Sequence, residues 1–237
     1  MTSIPANLQA VRDRIERAVG AAARPAGSVG LVAVSKTWPV ARVAEAAAAG
    51  QRAFGENYVQ EGVDKIRALA ELGLEWHFIG PLQSNKSRLV AAHFDWVHSI
   101  DRAQLAERLS SQRPAGLAPL NVCIQVNVSG EASKHGVAPD EVGPLARAVG
   151  GLPGLRLRGL MCIPEPDGGE VLLRARFRML GEMGSALRGQ GFALDTLSMG
   201  MSHDLEPAIA EGASIVRVGT AIFGERPRPA PTPTPTA

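Results

Sequence analysis

The sequence predicts an α/β protein with a single (β/α)8 TIM-type barrel preceded by an N-terminal helix. Three observations carry that prediction. Eight short apolar runs recur along the 237 residues, and alanine-rich amphipathic segments separate most of them. Strands that alternate with helices pair in parallel, because parallel neighbours need a crossover connection. The competing layout, an open doubly wound sheet, carries a glycine-rich phosphate fingerprint after its first strand, and none follows here.

The chain opens with a helix: Leu8, Val11, Ile15 and Val19 fall on one face at helical spacing, while Arg12, Asp13, Glu16 and Arg17 occupy the other. The first run, LVAVS (31–35), is followed by VARVAEAAAAG, and the second, RAFG (52–55), by YVQEGVDKIRALAEL. WHFIG (76–80) and WVHSI (96–100) come next, then VCIQVNV (122–128) with EVGPLARAVGGL behind it. LRGLMC (157–162) precedes RARFRMLGEMGSALRGQG, and LDTLSMG (194–200) and IVRVG (215–219) complete the set. Near-continuous apolar strands imply that both faces of the sheet are covered. Several helical segments end in glycine, the usual C-terminal stop. The barrel is expected over residues 1–225, and RPRPAPTPTPTA, residues 226–237, is expected to be a disordered proline-rich tail.

Hydrophobic residues make up 45% of the chain and charged residues 20%, a globular balance. The 25 basic and 23 acidic groups are interspersed, so no electrostatic footprint marks a nucleic-acid or membrane face. No apolar run approaches the length that a bilayer needs, and MTSIPANLQAVRDRIERAV is charged and helical in pattern, unlike a signal peptide. A soluble, cytoplasmic protein is expected. Cys123 and Cys162 sit inside the apolar runs VCIQV and LMCI and read as buried, reduced thiols. The five histidines show no paired ligand spacing, so no metal is expected.

In a barrel, chemistry gathers at the C-terminal ends of the strands. Polar residues and glycines recur there: Lys36, then Glu56-Asn57, Gln83 to Lys86, His98 to Asp101, Asn127 with Ser129 and Glu131, Ser198 to Ser202, and Arg217 to Thr220. Only the sixth end, at Met161, lacks them. Lys36 shares a strand face with Val32 and Val34. If that face points inward, desolvation favours the neutral, nucleophilic amine, which suits a Schiff base with a carbonyl. The alternative is a lysine that snorkels to solvent. Arg217 lies opposite Val216 and Val218, so its guanidinium is forced inward and needs a partner. That partner is a ligand or an acid such as Glu56 or Asp101, and taken alone the acid is favoured. Gly219-Thr220 and Gly200-Met201-Ser202 follow the last two strands, where barrels bind phosphate. Glycines admit close backbone approach and the hydroxyls donate. Ser202 also fits a helix N-cap before DLEPAIAEG. An aldehyde carrying a phosphate satisfies these features together, and both pyridoxal 5′-phosphate (PLP) and an aldolase substrate qualify.

The stretches AVSKTWP, FGENYVQE, WHFIGPLQSNK, IQVNVSGEASKHG, LRGLMCI, LSMGMSHDLEPAI and GASIVRVGTAIFG resemble the pyridoxal phosphate homeostasis protein family, whose barrel is similar to the N-terminal domain of alanine racemase. They span nearly the whole chain up to residue 225. The resemblance implies that Lys36 holds PLP as an internal aldimine, that Ser202, Gly219 and Thr220 bind its phosphate, and that Arg217 approaches the pyridine nitrogen. It also implies that Asn57 and Asn85 line the pocket. A cationic arginine at that nitrogen disfavours its protonation and makes the ring a poorer electron sink.

The expected function is therefore intracellular vitamin B6 homeostasis, as a buffer or carrier of PLP without catalysis. Its expected partners are PLP and PLP-dependent apo-enzymes that receive it, with no nucleic acid and no membrane, and the chain is expected to be a monomer or weak dimer. The alternative is a PLP-dependent amino-acid racemase. Racemisation needs bases on both faces of the substrate, and the single tyrosine, Tyr58, reads as a residue packed at a helix start. Lys86 and Lys134 read as solvated lysines near the same mouth.

Overall fold

The computed structural model describes residues 3–130, 135–165 and 168–225. Eight parallel strands close into a barrel in chain order: β1 (Gly30–Val34), β2 (Ala53–Glu56), β3 (Glu75–Phe78), β4 (Trp96–Ile100), β5 (Leu120–Gln125), β6 (Leu155–Met161), β7 (Thr196–Ser198) and β8 (Ile215–Val218). The barrel shuts where β8 pairs with β1, with Val32 opposite Arg217 and Ala33 opposite Val218. The predicted fold class is the one found. The proline-rich tail, Glu131 and Lys134 lie outside the described residues.

Helix α1 (Ile4–Ala21) begins where the Ser3 hydroxyl accepts the Ala6 amide at 3.4 Å, with a proline in its first turn. Ile4, Leu8, Val11, Ile15 and Val19 are buried against α2 (Val40–Ala48), α8 (Leu205–Ala210) and α9 (Thr220–Phe223). Each such side chain contributes about 1.5–3 kcal/mol on leaving water. This stripe packs a helix outside the repeat against helices from the first and last units of the barrel. The remaining cover comes from α3 (Val59–Ala68), α4 (Ser87–His93), α5 (Ala103–Gln112), α6 (Val142–Gly150) and α7 (Gly169–Gly189).

Two strand ends and one helix start differ from the sequence reading. The fifth strand stops at Gln125 because Asn127 Oδ1 takes the amides of Ser129 and Gly130, turning the chain out of the sheet. The seventh is only three residues long, since Gly200, at φ +94°, bends the chain away. Ser202 is not a helix N-cap: α8 starts at Leu205 behind Asp204, whose carboxylate accepts the Met201 amide. Both cysteines are buried free thiols as expected, and burial pushes each up to about 12.

Candidate functional site

At the C-terminal end of the strands lies an open cavity of about 200 Å³. Six of the seven candidate residues line it: Lys36, Asn57, Ser202, Arg217, Gly219 and Thr220. Asn85 does not; it sits exposed on a single 3-10 turn after β3, where Arg102 reaches the Ser84 hydroxyl at 3.1 Å. Trp38, Ile79 and Ile163 add apolar wall, and the Trp38 ring stacks on Phe223 at 6.1 Å. His203, exposed, also lines the mouth.

Lys36 occupies the turn that leaves β1, and the turn is unusual. The next residue, Thr37, has φ +68°, a left-handed conformation that costs a β-branched residue about 1–3 kcal/mol. A buried polar network offsets that cost. Lys65, on α3 and only 3% exposed, donates at 2.7 Å to the Ser35 carbonyl, to Glu56 Oε1 and to Glu61 Oε1. Ser35 Oγ donates to Glu56 Oε1 at 2.6 Å, and the Thr37 amide donates to Glu61 Oε1 at 2.5 Å. Both neighbours of Lys36 are thus tied to one ammonium group. Burial pushes the Glu56 carboxyl up, against the pull of Lys65. Lys65 was not legible as part of a site, because a lysine in an amphipathic helix reads as solvated. Its position beside Gly62 and Val63 on the buried face was the available signal.

Arg217 corrects a second expectation. Its guanidinium is buried, as the flanking valines required, but neither Glu56 nor Asp101 is its partner. Glu56 pairs with Lys65, and Asp101 with Arg102. Arg217 Nη1 donates to Ser198 Oγ at 2.6 Å and Nη2 to the Cys162 carbonyl at 2.9 Å. Among the described residues it has no ion pair, and burial draws its pKa down. The acids were plausible by type and wrong by place: Glu56 turns to Lys65 on α3, and Asp101, just past β4, pairs with its chain neighbour Arg102.

Among the described residues the lining contains Lys36 just past β1, Arg217 near the end of β8, His203, two hydroxyls and no carboxylate. Two further features fit a bound group. Asn57 Oδ1 is buried without a hydrogen-bond partner. A Cβ on Gly219 would stand 3.1 Å from the Val34 carbonyl oxygen, so glycine eases the close approach to β1 where the chain leaves β8. Together they suit an anionic ligand with a carbonyl near Lys36. The other expected residues have structural places. Tyr58 is 56% exposed at the start of α3 rather than packed there, and Lys86 is exposed as read.

Comparison with known proteins agrees with this geometry. The family model for the alanine racemase N-terminal domain matches residues 6–227. The pyridoxal phosphate homeostasis protein of Pseudomonas aeruginosa is 59% identical over 226 residues, covering 95% of this chain and 97% of the relative. That of Escherichia coli K12 is 56% identical over 229 residues, covering 95% and 98%. Among solved structures, PipY of Synechococcus elongatus PCC7942 with PLP bound superposes with a TM-score of 0.83 at 38% identity, covering 94% of this chain and all of that one. A family model over residues 6–227, and relatives more than half identical over nearly their whole length, place this chain in the alanine racemase N-terminal-domain family and among its pyridoxal phosphate homeostasis proteins.

Proposed function

We propose that the chain binds PLP through a Schiff base on Lys36 and acts in vitamin B6 homeostasis as a buffer or carrier, without catalysis. The observation that carries this reading is one cavity in which Lys36, Arg217, Ser202 and Thr220 meet, with no carboxylate among the described lining residues. When bound, PLP supplies an aldehyde, a phosphate and an electron-withdrawing ring. Lys36 would hold the cofactor by its amine, as a Schiff base formed with loss of water, and hydrolysis of that bond would return the amine and free the cofactor. The Lys65 network holds the Lys36 turn in place for both directions. Ser202 and Thr220 offer hydroxyls, and Gly219 offers unobstructed backbone, to the phosphate. Asn57 Oδ1 offers an acceptor. Arg217 can donate but cannot take up a proton, so beside the ring nitrogen it would disfavour protonation there and make the ring a poorer electron sink.

The racemase reading has one observation in its favour, since His203 is a second proton acceptor on the lining. Its exposure leaves it wet and poorly placed to help a transition state. PLP and the apo-enzymes that receive it are the partners of this reading, in the cytoplasm, for a monomer or weak dimer. Among the described residues no helix is long and apolar enough to cross a membrane.

The test is to load the protein with PLP, reduce it with borohydride and map the labelled peptide. The label is expected on Lys36, with Lys36→Ala folded but colourless. A label on Lys86 would overturn the assignment. Loaded protein is then offered to an apo-enzyme, and to each L-amino acid in D2O. Cofactor transfer without α-hydrogen exchange is expected, and exchange at about 1 per second or faster would establish an enzyme instead.

A further inference from the structure

A continuous hydrogen-bond chain crosses the barrel interior beneath the cavity. It begins at Glu75, the first residue of β3, whose carboxylate is half exposed at the end of the barrel opposite the site. Glu75 Oε1 lies 2.7 Å from His77 Nε2, and His77 Nδ1 lies 2.9 Å from His98 Nε2. His98 Nδ1 lies 2.7 Å from Ser198 Oγ, which accepts from Arg217 Nη1 at 2.6 Å. The three middle members and Arg217 are all buried.

The chemistry of the two ends sets the direction of the whole chain. The Glu75 carboxyl is held below the usual range by its bond to His77, so it is ionised and only accepts. Burial, then the nearby His77 and Arg217, keep His98 neutral. In the arrangement that places one donor on every bond of the chain, His77 holds a proton on Nε2, facing the carboxylate, and leaves Nδ1 bare. His98 must then donate from Nε2, its bare Nδ1 must accept from Ser198, and Ser198 must accept from Arg217. Every donor finds one acceptor in this arrangement. All the bonds point from Arg217 toward Glu75, and such aligned bonds polarise one another. Arg217 surrenders no proton, so the chain cannot conduct one to the cavity. It is a polarised strut with a carboxylate at its far end.

We propose that Glu75 is a remote positioning residue: it fixes the direction of the Glu75–His77–His98–Ser198 chain and thereby holds the Arg217 guanidinium in its place in the cofactor cavity. The role in cofactor binding rests on the PLP reading above, whereas the chain direction does not.

Glu75→Gln tests it, because an amide of the same shape can also donate to His77 and so lets the chain reverse. The first readout is 15N NMR of the histidines in protein without cofactor. Wild type is expected to show both rings protonated on Nε2, and Glu75→Gln to move proton density on both rings to Nδ1. The second is PLP titration, where Glu75→Gln is expected to weaken binding about threefold to tenfold, the worth of one hydrogen bond, and to shift the absorption band. Unchanged tautomers in Glu75→Gln, or a wild-type ring protonated on Nδ1, would overturn the proposal. So would a tautomer change with binding and absorption unaltered, since the chain would then be structural only. Ser198→Ala serves as the second variant: it should weaken PLP while both tautomers stay on Nε2, and unchanged affinity there counts against the proposal. Failure of the PLP reading looks different. Wild type itself would take up no cofactor, which removes the positioning role while the tautomers remain as described.

Discussion

Replacing Lys65 by methionine isolates the network beneath the Lys36 turn. Methionine follows the path of the lysine stem, so packing is retained and the change removes one charge and three hydrogen bonds. Glu56, wholly buried, loses its cation, and the Ser35 carbonyl loses its donor. Breaking a buried pair from one side costs about 3–5 kcal/mol. That is a large share of the roughly 5–15 kcal/mol typical of a folded domain, and it corresponds to a Tm lower by about 10 °C for a chain of this size. The deficit should depend on pH. Burial holds the folded Glu56 carboxyl above the glutamate value of 4.5, and without Lys65 it rises further. A raised carboxyl lends stability that is present at low pH and lost as pH rises through the folded pKa. The gap between Lys65→Met and wild type should therefore be wide at neutral pH and narrow toward pH 4.5. Urea unfolding followed by circular dichroism measures it. Adding Glu56→Gln to Lys65→Met should recover much of the loss, because the buried charge is gone. A deficit below about 1 kcal/mol, the range of an exposed pair, or a double variant no more stable than Lys65→Met, would refute the reasoning.

Wild-type stability should also fall on acidification below pH 6.5, the ordinary histidine value, because His98 stays neutral when folded and takes up a proton when unfolded. The slope from this one group approaches about 1.4 kcal/mol per pH unit, and a His98→Asn variant lacking that component in the same urea series is the expected outcome. Cys123 and Cys162, pushed up to about 12, should resist an aromatic disulfide reagent in native buffer and react fully in urea; a thiol that reacts at once in the native protein would contradict their burial. Gly219→Val should weaken both PLP and inorganic phosphate about tenfold in fluorescence titrations, since its Cβ must press on the Val34 carbonyl from 3.1 Å. Unchanged phosphate binding in that variant would move the cradle elsewhere.

The amino-acid sequence by itself determined the barrel, the opening helix and most of the cavity. Each strand is a local apolar run, and each helix carries its own stripe. The cavity residues follow from strand ends: Lys36 and Arg217 were visible because a basic residue interrupts LVAVSK and IVRVG where the pattern calls for an apolar one. Asn85 shared that polar signature but was carried by a turn out of the lining, which its sequence neighbours do not encode. The partners of the buried charges were decided only in three dimensions. Arg217 found a serine and a carbonyl rather than an acid, and Lys65 turned inward to brace the strained Thr37. The Glu75 chain joins β3, β4, β7 and β8, with His98 and Ser198 one hundred residues apart. The physical reason is one of range. Periodicity reports which face of its own element a residue occupies, whereas a hydrogen bond across the barrel depends on register and helix rotation, which closure of the whole sheet sets.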